Sequence, residues 1–145
     1  MEQLLKKLKA VSPAIFEGTP VLFAYLYGSH AKALSHRYSD LDIGIVTEKI
    51  SIEASLHLEL ALALSFDERL GHRVQTEVRI LNQLPLTVKG RILGETKLIY
   101  SIDEEKRVAF ETTVRKAYFD FLPVIQHYRH IYRQRTIAES QHGIG

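Results

Sequence analysis

The chain has 145 residues, a formal net charge of +2, 46% hydrophobic and 25% charged residues, and no cysteine. These values suit one domain with a hydrophobic core over residues 1–145, and they exclude a disulfide framework and a cysteine metal site. The small net charge gives no reason to expect direct nucleic-acid binding. No apolar run approaches the roughly 20 residues that span a bilayer, so we expect a cytoplasmic protein without membrane contact.

Helices and strands alternate along the predicted chain. In order, the elements are a helix over 2–11, a strand over 20–27, a short helix from Ser29, a strand over 40–46, a helix over 52–70, a strand over 72–81, a helix over 85–94, a strand over 97–100 and a helical region over about 102–135. Pro13 is expected to end or interrupt the first helix, and Pro123 to kink or split the last. Ser51 and Gly71 are expected to cap the helix between them. This order predicts an α/β (α+β) fold, with a small sheet of about four strands, flanking helices and a core of about residues 20–100.

Two aspartates interrupt the second predicted strand. Asp40 and Asp42 are two residues apart, so their side chains share one face, while Leu41 and Ile43 face the core. Neighbouring carboxylates repel each other unless a positive group lies between them. Mg²⁺ prefers oxygen ligands and is usually held by one or two carboxylates and substrate phosphates. We therefore expect a magnesium site here, with a solvated strand edge as the alternative.

A Gly-Ser pair follows the first predicted strand. Gly28 allows close approach of the backbone to a ligand, and a helix beginning at Ser29 would direct free N–H groups and its positive dipole end outward. That arrangement is typical of a phosphate site. Ser29 either contacts a phosphate oxygen or only caps the helix. If the first two strands are neighbours, the phosphate and metal sites face each other, so the expected ligand is a Mg²⁺-nucleoside triphosphate.

The third predicted strand contains a further carboxylate. Gln75, Glu77 and Arg79 share one face of this strand, and the other face is apolar apart from a threonine. A glutamate in mid-strand is costly unless it is paired. Glu77 could bind metal or accept a proton from an attacking hydroxyl, and an ion pair with Arg79 is the alternative.

These residues carry a resemblance to a known family. Gly28-Ser29, ten intervening residues and Asp40-Leu41-Asp42 match the Gly-Ser-x10-Asp-x-Asp signature of the polymerase-β-like nucleotidyltransferases, and the length resembles the minimal (MNT) branch. Residues 76–100 resemble the family's third-carboxylate strand, Leu-Asn-x-x-Pro helix and closing strand. Residues 115–128 are similar to the C-terminal helix of MNT antitoxins that pair with HEPN toxins.

The resemblance implies the polymerase-β-like nucleotidyltransferase fold with a small mixed sheet, and it also implies a site and a reaction. Asp40, Asp42 and Glu77 would be catalytic and would bind one or two Mg²⁺ ions, although Asp is more usual at the position of Glu77. Gly28, Ser29 and Lys32 would bind the nucleotide, with Lys32 where the family often has Arg. The implied reaction is transfer of AMP from ATP to a hydroxyl.

The resemblance also implies a partner. The acceptor would be a tyrosine of a HEPN ribonuclease toxin, which this chain would silence as an antitoxin, either as a homodimer or in a hetero-oligomer with the toxin. A catalytically weak or inactive domain that neutralises the toxin by binding is the alternative. Modification of a small molecule is a third hypothesis, although such enzymes normally carry an extra substrate domain.

The C-terminal helical region has aromatic and aliphatic residues at helical spacing. From Phe121 to Tyr132 this spacing predicts a face that packs on the domain. The reverse side carries Arg115, Arg129 and Arg133 and is expected near the partner. An RNA-binding patch is the alternative.

Overall fold

The computed structural model describes residues 2–28 and 40–142, with side chains up to residue 139. Its elements are α1 (Glu2–Phe16), β1 (Val21–Tyr27), β2 (Leu41–Thr47), α2 (Ile52–Arg69), β3 (Thr76–Ile80), a 3-10 turn (Leu81–Gln83), α3 (Leu86–Leu93), β4 (Lys97–Ser101) and α4 (Glu104–His142). The short helix predicted from Ser29 lies outside the described residues. No helix in the described part of the chain is long and apolar enough to cross a bilayer.

The four strands form one mixed sheet in the order β3-β2-β1-β4. β1 is antiparallel to both of its neighbours, β2 and β4, while β2 and β3 are parallel. A parallel pair needs a crossover connection, and α2 supplies it. The predicted α+β class and the mixed sheet are confirmed.

The two faces of the sheet are covered by different helices. On one face, α1 and α2 contribute Leu8, Phe16 and Phe66, which pack against Leu41 and Ile43 of β2. On the other face, alternate residues of β1 and β2 pack with the 3-10 turn, α3 and the start of α4; the buried side chains there are Phe23, Tyr25, Val46, Leu81, Leu93 and Val114. Each fully buried side chain of this size contributes about 1.5–3 kcal/mol, so the sheet is held from both sides.

The predicted caps of α2 are confirmed. The Ser51 hydroxyl accepts a hydrogen bond from the backbone N–H of Ala54 at 3.1 Å. Gly71 has a φ of 72°, and the N–H of His72 donates to the carbonyl of Asp67 at 2.8 Å. This left-handed residue and its bond close the helix in a Schellman motif, which fixes the direction in which the chain enters β3.

The end or interruption of the first helix predicted at Pro13 and the split predicted at Pro123 are wrong, while the kink at Pro123 stays a prediction. α1 continues past Pro13 to Phe16, because Ile15 and Phe16 beyond the proline are buried in the core. That burial offsets the hydrogen bond that the proline cannot make. Likewise, α4 runs without a break from Glu104 to His142 with Pro123 inside it.

The first half of α4 is anchored to the domain. The Tyr25 hydroxyl donates to Glu111 at 3.0 Å, and Arg107 pairs with the same carboxylate. Tyr118 lies so close to Gly90 of α3 that a Cβ at Gly90 would be 2.2 Å from the ring. The glycine thus lets α3 and α4 approach closely.

The second half of α4 does not pack on the domain, contrary to the prediction. Phe121 is 42% exposed, Tyr128 68% and Tyr132 74%. The reason is length, because a 39-residue helix is about 58 Å long whereas a seven-residue strand spans only about 23 Å. We call residues 119–139 the α4 tail.

Candidate active site

The predicted site residues on β2 and β3 are brought together by strand register. Asp42 pairs with Tyr27 of β1 on one side and with Glu77 of β3 on the other. Paired residues on neighbouring strands point to the same side of a sheet, so the carboxylates of Asp42 and Glu77 share a face. Asp40 is exposed and directly precedes β2, two residues from Asp42.

Gly28 lies against the Asp42 carboxylate. Its φ is 78°, a left-handed conformation that favours glycine, and a Cβ built on it would be 2.5 Å from Oδ2 of Asp42. The turn after β1 therefore touches the predicted metal ligand, as the sequence pattern predicts. Ser29 and Lys32, the other residues predicted to bind the nucleotide, lie outside the described residues.

Arg79 lies close to Tyr27. The guanidinium of Arg79 is near enough to the Tyr27 hydroxyl to act on its pKa. Because β2 lies between β1 and β3, these two side chains approach each other over the central strand beside Asp42. Burial raises the pKa of the Tyr27 hydroxyl and the charge of Asp42 raises it further, while Arg79 opposes both. The ion pairs found among the described residues do not include Glu77 with Arg79.

A cavity of about 300 Å³ opens beside this row of residues. Its walls come from the end of β1, from β3, and from α3 with the turn after it; they are Tyr27, Gly28, Arg79, Val88, Arg91, Ile92 and Glu95. The cavity therefore begins at the turn predicted to bind phosphates. Two guanidinium groups, the Glu95 carboxylate, the Tyr27 ring and two aliphatic side chains give it a mixed charged and apolar lining.

The oxygen donors of the site suit a hard cation such as Mg²⁺. Within residues 2–28 and 40–142, no three histidine, aspartate or glutamate side chains already lie close enough to form a metal-binding group. Asp42 and Glu77 are adjacent in the sheet, and Asp40 directly precedes the first residue of β2. The assignment of these three residues to metal binding stays a prediction.

The α4 tail presents a second surface of interest. Aromatic, aliphatic and arginine side chains lie together along this one helix. With Thr136 they border an open hollow between the side chains, and they are Tyr128, Arg129, Ile131, Tyr132, Arg133 and Arg135. None of the predicted site residues borders this hollow. The exposed aromatic rings and arginines form one mixed surface that is typical of contact with a partner.

The sequence did not identify Tyr27, Arg79 and the α3 residues as parts of the site. Tyr27 directly precedes Gly28, and Arg79 follows Glu77 by two residues on the same face. Both residues are therefore next to predicted site residues in the sequence. The proximity of Tyr27 and Arg79 depends on the strand order, which the sequence pattern does not give.

The fold and the carboxylates on adjacent strands define a nucleotidyltransferase domain. The family described as Polymerase beta, Nucleotidyltransferase matches residues 10–105, and the chain belongs to this family. No curated protein matches the sequence.

Solved structures share the fold over nearly the whole chain. One similar chain comes from a toxin–antitoxin complex with AMP-PNP, with 17% identity, a TM-score of 0.55, and coverage of 93% of this chain and 96% of that one. Another comes from a complex of a tri-AMPylated Shewanella oneidensis HEPN toxin with an MNT antitoxin, with 16% identity, a TM-score of 0.53, and coverage of 97% and 98%. A third belongs to the MntA–HepT toxin–antitoxin, with 16% identity, a TM-score of 0.51, and coverage of 96% and 97%. The chain thus shares the fold of chains from MNT–HEPN toxin–antitoxin complexes.

Proposed function

We propose that this protein is an antitoxin that transfers AMP from Mg²⁺-bound ATP to a tyrosine hydroxyl of a partner HEPN toxin. The observation that carries the proposal is the position of Asp42, which lies between Glu77 and the close turn at Gly28. Membership of the nucleotidyltransferase family supports the reaction class. The partner and the nucleotide are supported by similar folds in complexes with a tri-AMPylated HEPN toxin and with AMP-PNP.

The carboxylates and the turn have separate roles in this proposal. Asp40, Asp42 and Glu77 would hold one or two Mg²⁺ ions. A bound metal ion would neutralise negative charge on the phosphates. Gly28 and Ser29 would bind the β- and γ-phosphates through backbone N–H groups, with Lys32 as a cationic helper. Arg79 lies beside Tyr27 at the side of the site.

The proposed reaction is an in-line displacement at the α-phosphorus of ATP. A new bond forms between the acceptor oxygen and the α-phosphorus, and the bond from that phosphorus to the bridging oxygen of pyrophosphate breaks. Glu77 accepts the proton of the acceptor hydroxyl, and pyrophosphate leaves with the electron pair of the broken bond. The protein contributes by positioning the two reactants and by compensating charge.

The α4 tail is the proposed contact surface for the toxin. Its large apolar side chains are exposed although they lie at regular helical spacing, and Arg129 and Arg133 give it positive charge. Aromatic and arginine residues are enriched at interfaces between proteins. A partner with an acidic, partly apolar face would fit this surface.

A second candidate function is neutralisation of the toxin by binding alone. The α4 tail favours it, because this surface lies apart from the carboxylates and needs no catalysis to cover a partner. Both candidates predict a stable complex with the toxin, and only the first predicts a covalent change.

The test is the intact mass of a HEPN toxin that binds this protein, sought first in the neighbouring reading frame, after incubation with this protein, ATP and Mg²⁺. We expect wild type to add the mass of AMP and the Asp40→Asn/Asp42→Asn double variant to add none. Glu53→Gln/Glu68→Gln is the matched control, because these two exposed carboxylates lie on α2, on the opposite side of the sheet. Equal incorporation by the double aspartate variant would refute the site. Tight binding without incorporation by wild type would favour the second candidate.

A further inference from the structure

The solvent-facing side of α2 carries large aliphatic side chains at four-residue intervals. They are Ile52, Leu56, Leu60 and Leu64, with exposed fractions of 59–79%. Residues four apart lie on one face of a helix, so these side chains form a continuous apolar strip, which we call the α2 stripe. Single exposed leucines are ordinary, whereas a contiguous strip marks a contact surface. We infer that two copies of this chain pair through the α2 stripe, with their α2 helices antiparallel.

Two acidic residues of α2 lie beside the stripe, but their carboxylates bond to β3. Glu59 accepts a hydrogen bond from the backbone N–H of Ile80 at 3.0 Å, and Asp67 accepts one from the N–H of Thr76 at 2.7 Å. Because β3 is at the edge of the sheet, these bonds occupy N–H groups that an added strand would need. The occupant of this region therefore docks through side chains rather than as a further strand, and it meets a stripe without outward charge.

The charges at the two ends of the stripe favour a second copy as the occupant. Glu48 and Lys49 precede α2, Glu68 and Arg69 lie at its C-terminal end, and all four are exposed. A two-fold axis through the midpoint of the stripe brings these two pairs together. Lys49 of one copy is then next to Glu68 of the other, and Glu48 is next to Arg69. These contacts join opposite charges and each occurs twice, whereas parallel helices would place like charges together.

The length of α2 sets the expected strength of the contact. The helix has 18 residues and is about 27 Å long, so two packed stripes bury about 1,000 Å² in total, at the low end for a specific interface. We therefore expect a dissociation constant in the micromolar range. Because α2 packs on the face of the sheet opposite Asp42 and Glu77, pairing leaves the candidate active site of each copy accessible. The inference does not depend on nucleotide transfer.

The test is the oligomeric state of the full chain without toxin, measured by sedimentation velocity from about 1 to about 100 µM, a range that brackets the expected dissociation constant. Wild type should shift from monomer to dimer. Leu56→Glu/Leu60→Glu places like charges at the centre of the stripe and should weaken pairing by at least about a hundredfold. Both leucines are 63% exposed, so the fold should persist, and circular dichroism checks this. Tyr132→Glu/Ile137→Glu, at exposed positions of the α4 tail, is the matched control and should pair like wild type.

A charge swap tests the antiparallel arrangement. Lys49→Glu and Glu68→Lys should each weaken pairing by about two- to tenfold at low salt, because each replaces two attractive contacts with repulsive ones. The double variant Lys49→Glu/Glu68→Lys should restore the wild-type dissociation constant to within about twofold. Within one chain these residues lie at opposite ends of α2, so restoration requires contact between copies.

Four outcomes would overturn the inference. Wild type could stay monomeric up to about 100 µM. The dimer could survive the leucine double variant and be lost in the tail variant, which would place the contact on the α4 tail. The charge-swap variant could pair no better than the single variants, which would exclude the antiparallel arrangement. Finally, loss of toxin binding in Leu56→Glu/Leu60→Glu, with no dimer in wild type, would assign the stripe to the toxin.

Discussion

Gly28 and Asp42 lie so close together that a Cβ added at Gly28 would be 2.5 Å from Oδ2 of Asp42. The turn after β1 therefore has no room for a side chain at this position. Gly28→Ala should therefore displace Asp42, weaken Mg²⁺-ATP binding and reduce AMP transfer by at least about tenfold. The left-handed φ of 78° should add a loss of about 1–2 kcal/mol in the free energy of unfolding. Transfer rates and urea titrations measure the two effects.

Gly18→Ala is the control for backbone strain. Gly18 has a φ of 74° and nothing within 4 Å of an added Cβ. An alanine there therefore causes backbone strain but no steric contact with another residue. It should lower stability by a similar amount and leave transfer unchanged. Equal activity of the Gly28 and Gly18 variants would show that contact with Asp42 does not matter.

Glu77→Gln separates a catalytic carboxylate from a structural one. The change keeps the size of the side chain but removes its ability to take a proton or hold a metal equally well. We expect AMP transfer to the toxin to fall by roughly 10²–10⁴-fold, the usual range for a lost general base, and nucleotide affinity to fall much less. The rate of AMP transfer is measured by quenched flow or by intact mass. Glu53→Gln on α2 is the control, and a rate for Glu77→Gln equal to that of wild type would remove Glu77 from the mechanism.

Tyr25 should link stability to alkaline pH. Burial, and then the hydrogen bond to Glu111, raise the pKa of the Tyr25 hydroxyl above its ordinary value of 10. Its contribution to stability is therefore complete below pH about 10 and is lost as pH rises further, because the unfolded chain then releases the proton while the folded chain keeps it. Tyr25→Phe should lower the free energy of unfolding by about 1–3 kcal/mol at pH 8, since it leaves a part-buried carboxylate without this donor.

The same variant should show a shallower fall in stability between pH 9.5 and pH 11 than wild type, by up to about 1.4 kcal/mol per pH unit. Thermal unfolding across this range is the measurement. Tyr128→Phe, at a residue that is 68% exposed, is the control and should keep the slope of wild type. A slope unchanged in Tyr25→Phe would contradict the burial argument.

The α4 tail should matter for the partner and not for the fold. Tyr132→Ala, at a residue that is 74% exposed, should change the free energy of unfolding by less than about 0.5 kcal/mol and weaken toxin binding by about tenfold or more. Phe121→Ala should likewise cost below about 1 kcal/mol, rather than the roughly 3–5 kcal/mol of a buried phenylalanine. Val108→Ala on the anchored half of α4 is the control for toxin binding. Unaltered toxin affinity in Tyr132→Ala would place the interface elsewhere.

The class of fold and the positions of the carboxylates could be predicted because they depend on short-range pattern. The two-residue spacing of Asp40 and Asp42 places them on one face of any strand, and Gly28 stands where β1 must end. The caps of α2 were equally local. Ser29 and Lys32 remain predictions.

The rest depended on relations that the sequence does not contain. Nothing in the pattern around Arg79 shows that it lies near Tyr27, since that proximity needs β1, β2 and β3 in this order. The α4 tail was assigned to the core because aromatic residues at helical spacing look the same whether they face their own domain or another protein. Only the length of the helix relative to the sheet decides between the two.

The crossover through α2 has a consequence for the order of events during synthesis. A nascent chain that has emerged only through Thr47 already holds both strands of the β1–β2 hairpin and both aspartates, but Glu77 is still to come. The parallel pair needs β3, which follows α2 in the chain, and loop-closure entropy slows a contact between residues this far apart in sequence. The row of carboxylates is therefore completed only after the hairpin strands have emerged, and its completion depends on the crossover through α2.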